Sequence, residues 1–294
     1  MRHFLLIPHL KLHNANAMSS PYTIGFPAMT AWLGAVHALQ RKLNQQDCDL
    51  NLSKVAVSCH DFNLQTYKGR GDFVHSIVGT ANPLDKHGNR SALLEEARCH
   101  LDVSLLIEVE SLTNKKREHL LEIVQGIVAS MKFASGDVLS VKKSSVLDFD
   151  EDEDQEKQLR PILNKLMLGH VLIERRDLVL TSMQEGKDAL DSVLDYLKVT
   201  HSSTQEEEGK VTWTSKRKAQ GWLVPIAVGF QGISGLGQAK NQRDANTPHR
   251  FAESVLTLGE FVMPFRIESI DQLLWQYHID LENDLYLCQN LTTL

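Results

Sequence analysis

From His3 to Leu12 the chain reads "HFLLIPHLKL", an extended segment in which Phe4, Leu6, Pro8, Leu10 and Leu12 share one face. Leu5, Ile7, His9, Lys11 and His13 share the other, because side chains alternate along a strand. The second face turns basic toward its end. Pro27 then opens a helix, where its missing N–H costs nothing. Met29, Trp32, Leu33, Val36, Leu39 and Leu43 recur at helical spacing and give that helix a core face. "SKVAVSCHDFNLQTY" predicts a second strand, "YKGRGDF" a glycine-rich hairpin tip carrying Lys68 and Arg70, and "FVHSIVGT" the return strand.

"ANPLDKHGNRS" carries turn signals at Asn82-Pro83 and His87-Gly88-Asn89. "LLEEARCHLDVSLLIEVES" passes from a short helical or loop piece into a buried strand around Leu101 to Val109. "NKKREHLLEIVQGIVASM" is an amphipathic helix with Leu120, Leu121, Val124, Ile127 and Val128 inward, and "GDVLSVKKSSVLDF" a further strand. The order β-α-β-(hairpin)-β-α-β is the split βαβ pattern, so residues 1–147 are expected to form an α+β, RRM-like (ferredoxin-like) core.

Residues 148–157 read as an acidic linker or loop. Residues 158–210 read as a helical insertion, with helices near Leu159–Leu168 and "GKDALDSVLDYL" and a short strand pair near "HVLIERRDLVL". "HSSTQEEEGK" reads as a polar, flexible loop. Residues 211–294 read as a β-rich C-terminal part mixed with helix. In it, strands flank the basic turn Lys216-Arg217-Lys218, and glycines follow at Gly229, Gly232, Gly235 and Gly237.

Charge changes this picture in one respect. The net charge is −6. Seven acids lie within Asp148–Glu156 ("DFDEDEDQE"), and five more within Ile267–Leu294, which has no Lys or Arg. Outside those two stretches 31 bases face 25 acids, a balance that permits a basic nucleic-acid surface without demanding one. Cys48, Cys59, Cys99 and Cys288 form no C-x-x-C pair and read as reduced thiols of a cytoplasmic protein. The N-terminal apolar run is too short for a signal-peptide core, and no run approaches the ~20 residues of a membrane helix.

The chemical motifs are sparse. Gly232 to Gly237 matches neither a P-loop nor a Rossmann fingerprint. A plain loop, or a main chain able to approach a phosphate closely, both fit it. His9 and His13, four apart on a strand, sit roughly 13 Å apart at about 3.3 Å per residue, too far to share one metal ion. No Ser, His and Asp set and no G-x-S-x-G is present. No cofactor or metal is called for. Of the basic clusters, Lys115-Lys116-Arg117 at a helix start reads as a solvated face. Lys68 with Arg70, and Lys216 to Lys218, sit on turn tips that can reach a partner.

Longer stretches carry a family resemblance. "LLIPHLKLHNANAMSSPYTIGFPAMTAWLGAVHALQRKL", "NPLDKHGNRSALLEEARCHLDVSLL", and "LVPIAVGFQGIS" followed by "NQRDANTPHRFAESVLTLGEFVMPFRI" resemble, in order, the signatures of the Csy-two (Cas-five-type) family. Its members are RAMP subunits of type I-F CRISPR surveillance complexes. The resemblance implies a non-catalytic, cytoplasmic RNA-binding subunit. Such subunits cap the five-prime handle of the CRISPR RNA (crRNA) and pair with the large, PAM-reading (Cas-eight-type) subunit. They abut a Cas-seven-type backbone subunit and meet target DNA only through the complex.

The resemblance further implies a thumb hairpin inserted in the core, placed here at residues 62–89. The RNA-binding residues it implies are Lys11, His13, Asn14, Asn16, Lys68, Arg70, Arg217, Lys240, Arg243 and Arg250. For Asn14 and Asn16 a purely structural cap is the alternative. For Arg243 and Arg250 the alternative is bracing of the "DANTPH" loop, and for Arg243 also pairing with Asp244 or Glu253. His249 stands where the family pattern has an aromatic. The competing function is a RAMP endoribonuclease that processes precursor crRNA, with His9, His13 or His60 as general base.

Overall fold

The computed structural model describes residues 1–80, 84–89, 96–205, 209–242, 244 and 246–290. The turn at Asn82-Pro83, the piece Leu93–Glu95 and Arg243 lie outside them. Among the described residues the protein is a sheet-rich α+β chain with five α-helices.

The N-terminal half follows the expected order. β1 (Arg2–Asn16), α1 (Met29–Asn44), β2 (Asn51–Leu64), β3 (Glu96–Glu110), α2 (Asn114–Ala129) and β4 (Gly136–Ser140) succeed one another. In the sheet they lie β2-β3-β1-β4, all neighbours antiparallel. α1 buries Met29, Trp32, Leu33, Val36, Leu39 and Leu43, as its spacing predicts. α2 buries Leu120, Val124, Ile127 and Val128, but Leu121 points to solvent because it falls off the apolar stripe.

β1 departs from strict alternation. Its pairing with β3 slips between Ile7 and Leu10 and again between Leu12 and Ala15, and His9 and Asn14 at those slips have positive φ. Each bulge reverses the side-chain faces beyond it. Leu5, Ile7, Leu10 and Leu12 therefore all face the core under α1 and α2, while Phe4 and Leu6 face the opposite side. The expected grouping of Phe4, Leu6, Pro8, Leu10 and Leu12 on one face is thus corrected. The same bulge divides the predicted strand 136–149 into β4 and β5 (Ser145–Phe149). Both pair with β1, and the Lys142 N–H donates to the Pro8 carbonyl at the crossing.

The opposite face is covered at one end only. α3 (Gln155–Leu166) and the 3-10 turns Pro264–Arg266 and Ile270–Gln272 lay Leu159, Ile162, Leu166, Ile270 and Leu274 over Phe4, Leu6, Ala56 and Leu106. An ion-pair knot sits at the same end. Arg2 Nε meets Glu108 at 2.6 Å, Arg2 Nη2 meets Asp271 at 2.9 Å, and Lys54 Nζ meets Glu108 at 2.8 Å.

The acidic run is built into the fold at both ends. Asp148 lies in β5 and bonds His3 Nδ1 at 2.7 Å and Arg117 at 2.8 Å. Asp154 caps α3 by accepting from the Lys157 N–H.

The C-terminal half completes a closed circuit. β6 (His170–Glu174) is followed by α4 (Arg176–Gln184), where a second strand was expected, and by α5 (Ala189–Leu197). β7 (Thr200–Gln205) and β8 (Val211–Lys216) form an exposed hairpin, so "HSSTQ" is a strand and not a loop. Glu206–Glu208 at its turn lie outside the described residues. β9 (Trp222–Gly232), β10 (Ala252–Val262), β11 (Trp275–Asp280) and β12 (Leu285–Asn290) follow. Pairings run β2-β6-β10-β9-β12-β11 and back to β2, so none of these six is an outer strand. Inside, the Trp275 indole N–H donates to the Leu172 carbonyl at 2.8 Å. Glu174 and Asn290 clasp each other through reciprocal bonds to their main chains at 2.6 and 3.0 Å.

Gly229 answers one expectation. A Cβ there would lie 2.0 Å from the Tyr286 carbonyl oxygen, so this glycine allows close strand pairing, not approach to a phosphate. The four cysteines are free and buried, and burial pushes the thiols of Cys59, Cys99 and Cys288 up to about 12. No helix among the described residues is long and apolar enough to cross a membrane.

Candidate nucleic-acid interface

Beyond the reach of α3 the second sheet face turns polar. β3 presents His100, Asp102 and Ser104 there, alternating with Leu101, Val103 and Leu105, which are buried under the helices. β1 adds His9, Lys11 and His13, turned outward by the bulge at His9. β2 adds His60.

Four of these side chains form two stacks. His9 and His60 lie with ring centroids 4.2 Å apart, and His13 and His100 with centroids 4.4 Å apart. His9 Nδ1 is 3.2 Å from Asp102, and His60 Nε2 is 2.7 Å from Ser104 Oγ. The His9 main-chain N–H, freed from the ladder by the bulge, donates to the same Ser104 oxygen at 3.1 Å. At the second bulge the Asn14 N–H donates to His100 Nδ1 at 3.2 Å, and Gln65 Nε2 donates to Asn14 Oδ1 at 2.7 Å.

Lys11 and His13 are solvent-facing on this surface, and Lys142 stands close enough to weigh on His60. Gly169 lets the segment before β6 pass over it, since a Cβ there would lie 2.3 Å from Ser58 Oγ and 2.9 Å from His60 Nδ1. The surface therefore offers ammonium groups, imidazoles and amides on a fixed strand frame. Phosphates, riboses and unpaired base edges seek such groups.

Burial pushes the pKa of His60 below its usual value near 6.5, and the neighbouring charge of His9 acts the same way. Asp102 opposes both, and Lys142 adds to the lowering. A histidine held neutral in the native state protonates first in the unfolded chain. Stability is thus complete above about pH 6.5 and falls as pH drops through the unfolded value toward the folded one. Urea unfolding at pH 5.5 and 7.5 is expected to show this loss, and His60→Gln to reduce it.

The implied RNA residues separate into groups. Lys11 and His13 share the surface, and Asn14 belongs to its hydrogen-bond network. Asn16 bonds the Met18 main chain twice, Nδ2 donating to the carbonyl at 3.2 Å and Oδ1 accepting from the N–H at 3.0 Å. Lys68 and Arg70 lie on the exposed hairpin joining Thr66–Tyr67 to Ser76–Ile77, whose Phe73 is 96% exposed. Arg217 is exposed just after β8, and Lys240 is exposed in the segment between β9 and β10. Lys218, next to Arg217, is held between Asp195 and Ser182 and over the Tyr196 ring, and so is not a free tip. Arg250 packs against Gly232 and pairs with Asp284, as a brace of the strand ends.

Sequence reasoning missed His100, Asp102, Ser104 and Lys142 as parts of one surface. The signal available was the polar period of two in "HLDVS". Among the described residues no group of three or more His, Cys, Asp or Glu side chains is placed to hold a metal ion.

These features define a sheet-rich α+β protein with one open polar face. A family model described as CRISPR-associated protein Csy2 matches residues 5–288. The chain is also similar to the CRISPR-associated protein Csy2 of Pseudomonas aeruginosa (strain UCBPP-PA14). The two are 33% identical over 307 residues, covering 96% of this chain and 93% of that relative. The chain belongs to the Csy2 family of CRISPR-associated proteins, of type I-F systems.

Proposed function

We propose that the chain is a non-catalytic, cytoplasmic RNA-binding subunit of a type I-F CRISPR surveillance complex. In this reading it caps the five-prime handle of the crRNA, pairs with the large subunit and abuts a Cas-seven-type backbone subunit. Target DNA is met only through the complex.

The observation that carries it is the open polar face of β1, β3 and β2, with Lys11, His13 and Lys142 exposed at or beside it. The strand order β2-β3-β1-β4, crossed by α1 and α2, supports an RRM-like RAMP core. An RRM-type sheet face is a platform for unpaired RNA. The exposed hairpin around Lys68 and Arg70, within 62–89, is the proposed thumb. It stands out from the sheet between β2 and β3, and its lysine and arginine suit a phosphate backbone.

The nuclease alternative draws on the His9–His60 stack beside Asp102. Against it, His60 Nε2 is already engaged by Ser104 Oγ at 2.7 Å, and its other ring nitrogen, Nδ1, is buried.

The test is binding of a single-stranded RNA carrying the repeat-derived five-prime segment by the chain together with its large-subunit partner. Retention at moderate salt is expected, and its absence overturns the reading. Precursor RNA incubated with the chain is expected to stay intact. Cleavage that is lost on His60→Ala or His9→Ala would assign the nuclease role instead.

A further inference from the structure

A cleft of about 420 Å³ opens beside the polar face. Its walls are aromatic: Phe26 ahead of α1, Phe62 of β2, Trp222 of β9, Phe261 of β10 and His170 of β6. The rings form a connected array. His170 stands edge-on to Trp222 at 5.3 Å, Trp222 meets Phe261 at 5.2 Å, and Phe261 meets Phe26 at 5.3 Å. Trp222 is 55% exposed at the mouth, and Leu168, in the segment passing over His60, is 84% exposed at its rim. A tryptophan so placed, among rings it only partly covers, leaves a broad apolar surface in water.

His60 belongs to both sites. It lines the cleft, and its ring also stacks on His9 of the polar face. Asp61 adds an exposed carboxylate to the lining. An aliphatic side chain from another protein would cover the rings and leave this carboxylate unmatched. A nucleobase offers a flat face for the rings and an N–H edge for the carboxylate. The site is also continuous with the surface read above as the path of a single strand.

We propose that this cleft receives one unstacked nucleobase of the RNA bound on the polar face, held by stacking on Trp222. This rests on the function proposed above. Stacking of bases on aromatic side chains is a main source of affinity for single strands and is tolerant of sequence.

The test titrates the full chain with single-stranded RNA carrying the repeat-derived five-prime segment. The RNA is used intact, or with one abasic site at each position in turn. Trp222→Ala is expected to weaken intact RNA by roughly tenfold, in line with the loss of one stacked base, and Trp222→Phe to restore most of the loss. One abasic position should weaken wild-type binding by a similar factor. At that position Trp222→Ala should cost nothing further.

A folded Trp222→Ala variant that binds every RNA as wild type does would overturn the proposal. So would an equal loss on every abasic RNA. If RNA affinity is kept but co-purification with the partner subunit is lost, the cleft is a protein-docking site and the proposal fails. Should Trp222→Ala not fold, Phe62→Ala carries the same readings. Failure of the wild-type chain to bind RNA even with its large-subunit partner present would overturn the function itself. Loss confined to the Trp222 and Phe62 comparisons concerns the cleft alone.

Discussion

Lys11→Glu combined with Lys142→Glu is expected to reduce affinity for single-stranded RNA by at least tenfold near physiological salt. The log–log salt slope should flatten by about 1.4, because each phosphate neutralised on a single strand contributes about 0.7. Both side chains are solvent-facing. Lys11 pairs through its main chain with Ser140 of the neighbouring strand, and its side chain extends into solvent. The fold should therefore survive the change. Filter or fluorescence binding over a range of salt concentrations reads both quantities. An unchanged slope would mean that phosphate does not cross this face. Lys68→Glu with Arg70→Glu on the exposed hairpin makes an informative comparison, since it tests the thumb without touching the sheet.

Glu108→Ala is expected to destabilise the protein by about 3 kcal/mol, the lower end of the cost of stripping one partner from a buried ion pair. Glu108 is 7% exposed and serves both Arg2 and Lys54. Its loss leaves Arg2 with Asp271 and the more distant Glu151, which keeps the cost from rising further. Burial pushes the Glu108 carboxyl up, but the bonds and charges of Arg2 and Lys54 outweigh it and hold it below the usual carboxylate range. A depressed folded pKa contributes stability that is complete above the unfolded value and is lost as pH falls through the folded one. Glu108→Ala should therefore narrow the gap between unfolding midpoints at neutral and acid pH. Arg2→Met with Glu108→Leu should recover much of the loss, because apolar packing can replace a buried pair at little net cost. Chemical denaturation of the wild type, Glu108→Ala and the double variant reads both effects.

Much of the N-terminal half is legible in the sequence because it is patterned on one face or buried on both. The spacing of Met29, Trp32, Val36 and Leu43 leaves little choice but a helix. The run Leu105–Ile107 leaves little but a doubly buried strand. What local pattern cannot reveal is a change of face within a strand. The bulge at His9 moves Leu10 and Leu12 to the core under α1, and it is this move that turns Lys11 and His13 onto the open face. Thr200–Gln205 fails as a prediction for a different reason. A strand exposed on both sides has no apolar period to read, and only its pairing with Val211–Lys216 reveals it. The second strand expected after His170–Glu174 is a helix because Val179 packs inward with Val193 and Tyr196 of α5 against Leu223 and Leu258.

The candidate site was legible only in part. Lys11 and His13 were found through a resemblance, whereas His60, His100, Asp102 and Ser104 come from two other strands and are joined to them only by sheet register. Asn16 illustrates the opposite case. Its amide is spent on its own turn, as an asparagine two residues before the bonded main chain commonly is. Arg250, likewise, has its guanidinium engaged by Asp284 before any ligand is considered.

The closed circuit of six strands bears on how the chain reaches this structure. Val55 must find Trp275, and Cys59 must find His170, across separations that exceed most of the chain's local contacts. β12 sits between β9 and β11, so the ring stays open until residues 285–290 are in place. Folds dominated by such distant pairings mature slowly, because the loss of chain freedom precedes the contacts that repay it. Strands β1, β2 and β3 can pair early through α1 and the hairpin between them. Closure of the ring, which also completes the Trp222 cleft, is then expected to be the late and slow event of folding.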